Sequence, residues 1–263
     1  MNDWRGRWAL VTGASSGIGR ELARQLAAGG ANLVLTARRV DRLEELAAAL
    51  RTRHGIRAEV FGADLAKPGG PQEIFDFCRG KGIAVDILIN NAGFGAYGEI
   101  PTVDSGRLLD MVQVNCSAVV ALTRLFVPGM VERRRGYVLI VASTAAFQAV
   151  PYITTYAATK AFDLFFGEGL AEEMRPYGVR VSCLCPGSTE SEFHAVAGQP
   201  DHTKSAREAT DKVARTGLKA LAAGKSYVIS GFANYLGAHV QRILPRRLVT
   251  RIAGGLFRPK QTG

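Results

Sequence analysis

The chain is 263 residues long, 47% hydrophobic and +10 in net charge, enough for one α/β domain with a sizeable core and with nothing that demands two. Asp201 to Gly263 holds twelve Lys or Arg against three Asp or Glu, +9, which leaves +1 for the first 200 residues; this excludes a uniformly basic nucleic-acid binder, and no nucleic-acid partner is expected. The opening MNDWRGRWALVTG lacks the pattern of a signal peptide and no apolar run reaches ~18 residues, which predicts a cytoplasmic protein without a membrane span.

In chain order, the apolar run WALVTG leads into a helix near 17–29, and NLVLTA leads into DRLEELAAALRTR, where Asp41 and Glu44 make a capping box. RAEVFGAD, DILINNAG, GYVLIVAS and VRVSCLCPG are further strand candidates, separated by helical periodicity near 71–81, 103–134 and 154–175. Continuous apolar runs suit strands buried on both faces. The alternation therefore predicts a single-domain Rossmann-type fold, a doubly wound parallel sheet with helices on both faces. Residues 1–231 are expected to form the catalytic body and 232–263 a basic helical C-terminal extension of it. No repeat or low-complexity tract interrupts the order.

Sheets of this kind bind ligands beyond the C-terminal ends of their strands. Five predicted strand ends carry a polar or glycine motif: the loop Thr12-Gly-Ala-Ser-Ser-Gly-Ile-Gly19, then Asp64, Asn90-Asn-Ala-Gly93, Ser143 and Pro186-Gly-Ser-Thr189. Gly13, Gly17 and Gly19 allow a tight turn and close approach of a pyrophosphate, whose charge a helix N-terminus would meet. At the end of the second strand, where an acid would hold a ribose 2′-hydroxyl, stand Arg38 and Arg39. Two guanidinium groups suit a 2′-phosphate, so NADP(H) is preferred over NAD(H).

Residues 143–160 read STAAFQAVPYITTYAATK, with Tyr156 and Lys160 one helical turn apart and Ser143 thirteen residues before the tyrosine. Cys78, Cys116, Cys183 and Cys185 form no CxxC pair and His54, His194, His202 and His239 no HxxxH, so buried reduced thiols and no bound metal are expected.

With the glycine spacing, Asn90-Asn-Ala-Gly93, Asn115, Ser143, Tyr156, Lys160 and Pro186-Gly187 in order, the chain resembles the short-chain dehydrogenase/reductase family over roughly residues 8–190. The resemblance implies metal-free hydride exchange between a nicotinamide and a carbonyl or alcohol. Tyr156 would be the general acid or base, Lys160 would favour its phenolate and hold the nicotinamide ribose, Ser143 would bond the substrate oxygen, and Asn115 would anchor a proton route. It also implies that Ser15, Ser16 and Ile18 join the glycines around the cofactor. Asp64 and Leu65 would lie by the adenine, Asn91, Ala92 and Gly93 beside the cofactor, and Pro186, Gly187 and Thr189 at the nicotinamide. One departure is Ser16, where related NADP binders often carry a base, which leaves tolerance for NAD(H).

Phe94, Tyr97, Phe147, Tyr152 and Phe193 are the expected substrate walls, and they suit a hydrophobic ketone or aldehyde of acyl, steroid or aromatic kind. In the tail, Leu236, Val240, Leu244, Leu248, Ile252 and Leu256 recur every four residues among Arg242, Arg246, Arg247, Arg251 and Arg258. Pro245 would start the second of two amphipathic helices, which suit an anionic membrane surface, a lid or a subunit contact. The tail loosely resembles that of the branch holding long-chain 3-oxoacyl reductases and hydroxysteroid dehydrogenases. The family resemblance implies a dimer or tetramer paired through helices 103–134 and 154–175. The expected function is NADPH-dependent reduction. Its alternatives are NAD-dependent alcohol or hydroxysteroid oxidation, which shares every catalytic residue, and a non-catalytic nucleotide-binding sensor or scaffold.

Overall fold

The computed structural model describes residues 3–199, 207–241 and 243–259. His202, Arg242 and residues 260–263, named above among the histidines and in the tail, lie outside them. Seven strands form one sheet: β1 Trp8–Thr12, β2 Asn32–Ala37, β3 Ala58–Gly62, β4 Val85–Asn90, β5 Gly136–Val141, β6 Val179–Cys185 and β7 Tyr227–Ile229. All pairings are parallel, in the order β3-β2-β1-β4-β5-β6-β7. The chain winds outward from β1 to β3 and then returns to the other side of β1. Consequently the connections leaving β1 and β4 part from each other, and a crevice opens between their ends.

Helices α1 Gly17–Ala28, α2 Val40–His54 and α8 Thr210–Ala222 cover one face, and α3 Gly70–Gly80, α5 Ala118–Glu132 and α6 Thr154–Met174 the other. Between α3 and α5 run α4 Ser105–Val112 and a π turn over Gln113–Ser117; α7 Phe193–Val196 follows β6, and α9 Phe232–Val240 and α10 Arg246–Phe257 close the chain. Side chains alternate between the faces as the two-residue strand period requires. Ile87, Ile89 and Leu139 meet Leu22, Leu26 and Leu218, while Leu88, Val138 and Ile140 meet Leu122, Phe126 and Leu164.

β6 is gripped from both sides through glycine. Gly167 of α6 lies so close to Cys183 that a Cβ there would overlap its sulfur, and a Cβ at Gly217 of α8 would stand 2.8 Å from Leu184. The extension packs back onto the body, with Ala238 buried in the main core and Ala253 buried against Val150 and Ala157.

Two readings from the sequence change, and other features of the fold were not read from it. Helix α2 starts at Val40 with Arg39 at its N-cap and no side-chain cap bond, so Asp41 and Glu44 are not a capping box. The Arg39 side chain turns to the glycine loop instead, and Asp41 sits in the first turn, where its charge complements the helix dipole. Strand β7 and helix α8 were not foreseen, since three strand residues carry too little pattern. Helix α10 begins at Arg246, with Pro245 at the cap rather than in the first turn. Ser105–Glu132 runs as one helix of 28 residues, long and apolar enough by length and composition to cross a membrane, although no uninterrupted apolar run marks it. Half of its most apolar stretch is buried within the fold, as for the Phe126 ring, whose centroid lies 5.2 Å from that of Phe75.

Replacing Gly167 with Val should cost about 1–3 kcal/mol by forcing α6 off β6, seen as a lower midpoint in urea unfolding.

Candidate active site

The floor of the crevice is the loop from β1 to α1. Gly13 has φ +66° and Gly17 φ +54°, the left-handed region that favours glycine. Asn91, just past β4, donates its amide to the carbonyl oxygens of Thr12 at 2.8 Å and Gly13 at 3.3 Å. A Cβ on Gly13 would stand 2.8 Å from that amide, and one on Gly19 would overlap it. Thr12 Oγ1 accepts from the N–H groups of Asn91 and Ala92, each at 3.0 Å. Glycine is thus required because the β4 end must lie against the loop. The amides at the start of α1 face the crevice with no acid in the helix's first turn, a setting that fits a pyrophosphate.

Helix α6 carries Tyr156 and Lys160. Lys160 is 5% exposed; its Nζ donates to Val141 O at 2.8 Å and to Asp163 Oδ2 at 2.9 Å. Asp163 is 1% exposed, and its Oδ1 has no partner. Burial pulls the Lys160 ammonium down, but the charge and hydrogen bond of Asp163, together with Tyr156 and Cys116, outweigh it and the lysine ends above its ordinary value. Tyr156 packs against Ala96, Met111 and Phe193, with Lys160 Nζ 6.0 Å from its ring centre. Burial pushes its phenol up, the Lys160 charge and the Ser143 hydroxyl pull it back, and Asp163 pushes it up again. Ser143 caps the short 3-10 turn Thr144–Phe147 by accepting from Ala145 N at 3.1 Å, and it lines the same cavity.

Asn115 lies in the π turn, fully buried. Its amide accepts from Phe94 N at 3.1 Å and donates to Phe94 O and Thr159 Oγ1, each at 3.0 Å. Its side chain therefore fixes the segment after β4 against α6.

Around these groups lies one cavity of about 780 Å³. It is lined by Gly13, Ser15, Ser16, Gly17 and Ile18 at one end, by Arg38, Arg39, Asp64 and Leu65 beside them, and by Asn91, Ala92, Gly93, Ser143, Tyr156, Lys160, Pro186, Gly187 and Thr189 beyond. Gly19 lies beneath the loop. Thr189 is buried and donates its hydroxyl to Gly187 O at 3.0 Å. Arg39 Nη2 donates to Ser16 Oγ at 2.9 Å and Ser15 Oγ at 3.2 Å, which ties the arginine end to the glycine loop, whereas Arg38 is exposed at the cavity edge. The glycine cradle, the free helix amides and the guanidinium groups form a donor set that fits a phosphorylated dinucleotide.

Of the five expected substrate walls, Phe94 and Phe193 line the cavity, and the Phe193 ring centre stands 5.0 Å from that of Tyr156. Tyr97, Phe147 and Tyr152 are not among its lining residues. Tyr97 is drawn to α10, donating its hydroxyl to Phe257 O at 2.8 Å. Phe147 packs against Tyr227 of the unforeseen β7. Tyr152 has a left-handed backbone, φ +68°, and its carbonyl accepts from Gly98 N at 2.8 Å. The walls that sequence reasoning missed are mixed: apolar Val114, Ile153, Val196 and Phe257 beside Arg107 and Asp110 of α4, Asn234 of α9, and His194, whose ring nitrogens meet Ser188 Oγ at 3.1 Å and Gln199 Oε1 at 2.7 Å. Arg107 donates to the carbonyls of Gly95 and Val196, so it staples the β4 and β6 loops together. Only the spacing of Asp104 before Arg107, a cap whose carboxylate accepts from Arg107 N at 2.7 Å, signalled this helix start in the sequence.

The four cysteines are free thiols, three of them buried. Burial pushes Cys78 and Cys185 up to about 12 and Cys116 to about 11, far from the thiolate a nucleophile needs.

Asp163→Asn should lower the pH at which the Tyr156 phenol ionises, because it removes a negative charge that opposes phenolate. Ultraviolet difference titration against the Asp163→Asn, Tyr156→Phe double variant isolates that tyrosine and checks the direction.

Comparison with known proteins places the fold. A family model described as short chain dehydrogenase matches residues 7–201. A very-long-chain 3-oxoacyl-CoA reductase of Pyrenophora tritici-repentis is 39% identical over 186 residues, 68% of this chain and 54% of that protein. The chain thus spans about half the length of the curated relatives it matches. Among solved structures, a short-chain dehydrogenase from Sphingobium yanoikuyae in complex with NADPH superposes with a TM-score of 0.82 at 29% identity, covering 98% of this chain and 97% of that one. A bulky-bulky ketone specific alcohol dehydrogenase from Comamonas testosteroni gives 0.77 at 27% identity, covering 98% and 96%. With its motifs at the strand ends and the family match over most of its length, the chain belongs to the short-chain dehydrogenase family of oxidoreductases.

Proposed function

We propose that the protein is an NADPH-dependent reductase that converts the ketone or aldehyde of a hydrophobic acyl-, steroid- or aromatic-like substrate to an alcohol, with Tyr156 as general acid. The observation that carries this reading is the placement of Tyr156, Lys160 and Ser143 on one cavity whose far end is lined by Arg38 and Arg39. The Pyrenophora relative named as a 3-oxoacyl reductase and the NADPH complex from Sphingobium support it.

When bound, a nicotinamide cofactor would supply the hydride. The protein supplies the rest. Ser143 orients the carbonyl oxygen, and Tyr156 delivers its phenolic proton to that oxygen as negative charge builds there. Lys160 stays protonated and eases formation of the phenolate left behind. Phe94 and Phe193 exclude water around the reacting carbon, and Arg107 holds the two loops that carry them. Arg38 and Arg39 would take the 2′-phosphate. NAD(H) tolerance is a second reading, favoured by the engagement of Arg39 with Ser15, Ser16 and Glu192.

Two partner surfaces go with this reading. Leu109, Val112, Phe162 and Phe165 leave an exposed apolar face on α4 and α6 that suits pairing of two copies. In the extension, Phe232 and Ile243 are 82% and 83% exposed, and Leu236, Leu248, Ile252 and Leu256 are exposed as well. Arg246, Arg247 and Arg251 stand among them and residues 232–263 contain no Asp or Glu, a combination that suits peripheral contact with an anionic bilayer from the cytoplasmic side.

Tyr156→Phe should reduce NADPH-linked reduction by at least about 10²-fold. A panel of ketones graded by chain length and bulk, followed by NADPH oxidation, tests the assignment, and unchanged turnover in the variant would refute it. Arg39→Ala should weaken NADPH about tenfold or more while leaving NADH nearly unchanged, measured as dissociation constants. Reversing Arg246, Arg247 and Arg251 to Glu should abolish co-flotation with phosphatidylserine vesicles; flotation equal to that of the parent protein would remove the bilayer from the proposal.

A further inference from the structure

At the arginine end of the cavity a carboxylate already occupies the guanidinium groups. Glu192, in the loop between β6 and α7, accepts from Arg39 Nη1 through Oε2 at 2.8 Å and from Arg42 Nη1 through Oε1 at 2.7 Å. Each oxygen takes one arginine, so the carboxylate bridges two cations that lie three residues apart around the start of α2. The two guanidinium groups hold Glu192 below the usual carboxylate range, Arg42 foremost. All three side chains remain two-fifths or more exposed, so a solute can reach them. Glu192 also stands on the wall shared by the main cavity and a second recess of about 350 Å³ that Arg20, Arg24, Arg42 and Glu190 line.

We propose that Glu192 is a coenzyme-specificity residue: its carboxylate holds Arg39 and Arg42 as an internal stand-in for a 2′-phosphate, and must be displaced when a 2′-phosphorylated adenosine binds. This rests on the reading of Arg39 as a 2′-phosphate ligand and adds Arg42 to it. A 2′-phosphate carries more charge than a carboxylate and more acceptor oxygens, so it can replace Glu192 on both arginines. A ribose 2′-hydroxyl cannot, and it leaves the bridge in place. Glu192 therefore weakens binding of the phosphorylated coenzyme selectively and narrows the gap between the two coenzymes. The same residue precedes Phe193, which packs on Tyr156, so the bridge links the coenzyme's adenosine end to the substrate wall.

Calorimetric titration of the full chain with adenosine 2′,5′-bisphosphate and with adenosine 5′-monophosphate tests this without turnover. Exposed ion pairs are individually weak, so Glu192→Gln should bind the bisphosphate roughly three- to tenfold more tightly, with the monophosphate unchanged. Arg42→Ala should weaken the bisphosphate alone. If the parent protein prefers the bisphosphate but Glu192→Gln binds it equally or less tightly, the stand-in role is overturned while the 2′-phosphate reading survives. If the parent protein shows no preference between the two nucleotides, the 2′-phosphate reading fails and the stand-in role with it.

Discussion

A protonated amine buried at the centre of the fold must be compensated, and how Lys160 is compensated fixes much else. Its partners come from two elements, the carbonyl of Val141 at the end of β5 and the carboxylate of Asp163 one turn along α6. Removing either would leave a charge in low dielectric, a loss far greater than that of a surface pair. The helix is therefore held in one rotation and one height against the sheet. Tyr156 faces the cavity, Thr159 meets Asn115, and Gly167 passes over Cys183, all because α6 cannot slide or turn. The Tyr156 phenol inherits its position from an ion pair on its own helix.

The glycine loop sets the opposite end by a different means. There the constraint is space rather than charge, since the Asn91 amide fills the room that side chains at 13 and 19 would need. The two ends meet through the loop after β6, which brings Thr189, Glu192 and Phe193 past the whole length of the cavity. That loop touches the arginines, the glycine-loop wall and the tyrosine in succession.

Much of this was legible in the sequence, for a physical reason. The sheet's strands are continuous apolar runs, and the fold delivers every strand end to one edge, so motifs at those ends had to converge. Asp163 was also within reach, as an acid three residues after a lysine in the same helix, but its meaning depends on burial that periodicity does not reveal. Glu192 and Arg42 are 150 residues apart and no local pattern joins them. Of the misplaced walls, Tyr97 and Tyr152 lie in loops and Phe147 ends a short 3-10 turn, where the direction of a side chain follows from turns and from neighbours such as β7 and α10. Aromatic character was read correctly there; orientation was not.

The π turn over Gln113–Ser117 gives the long helix one residue more than an α-helical path would hold, with Ala118 N reaching back to Gln113 O. One residue is about 100° of rotation. Before the turn, Arg107 and Asp110 look into the cavity; after it, Leu122, Phe126 and Met130 look into the core. The two halves are out of phase, and the extra residue is the phase correction. A single residue thus turns one half of a core helix toward the cavity while the other half keeps its packing.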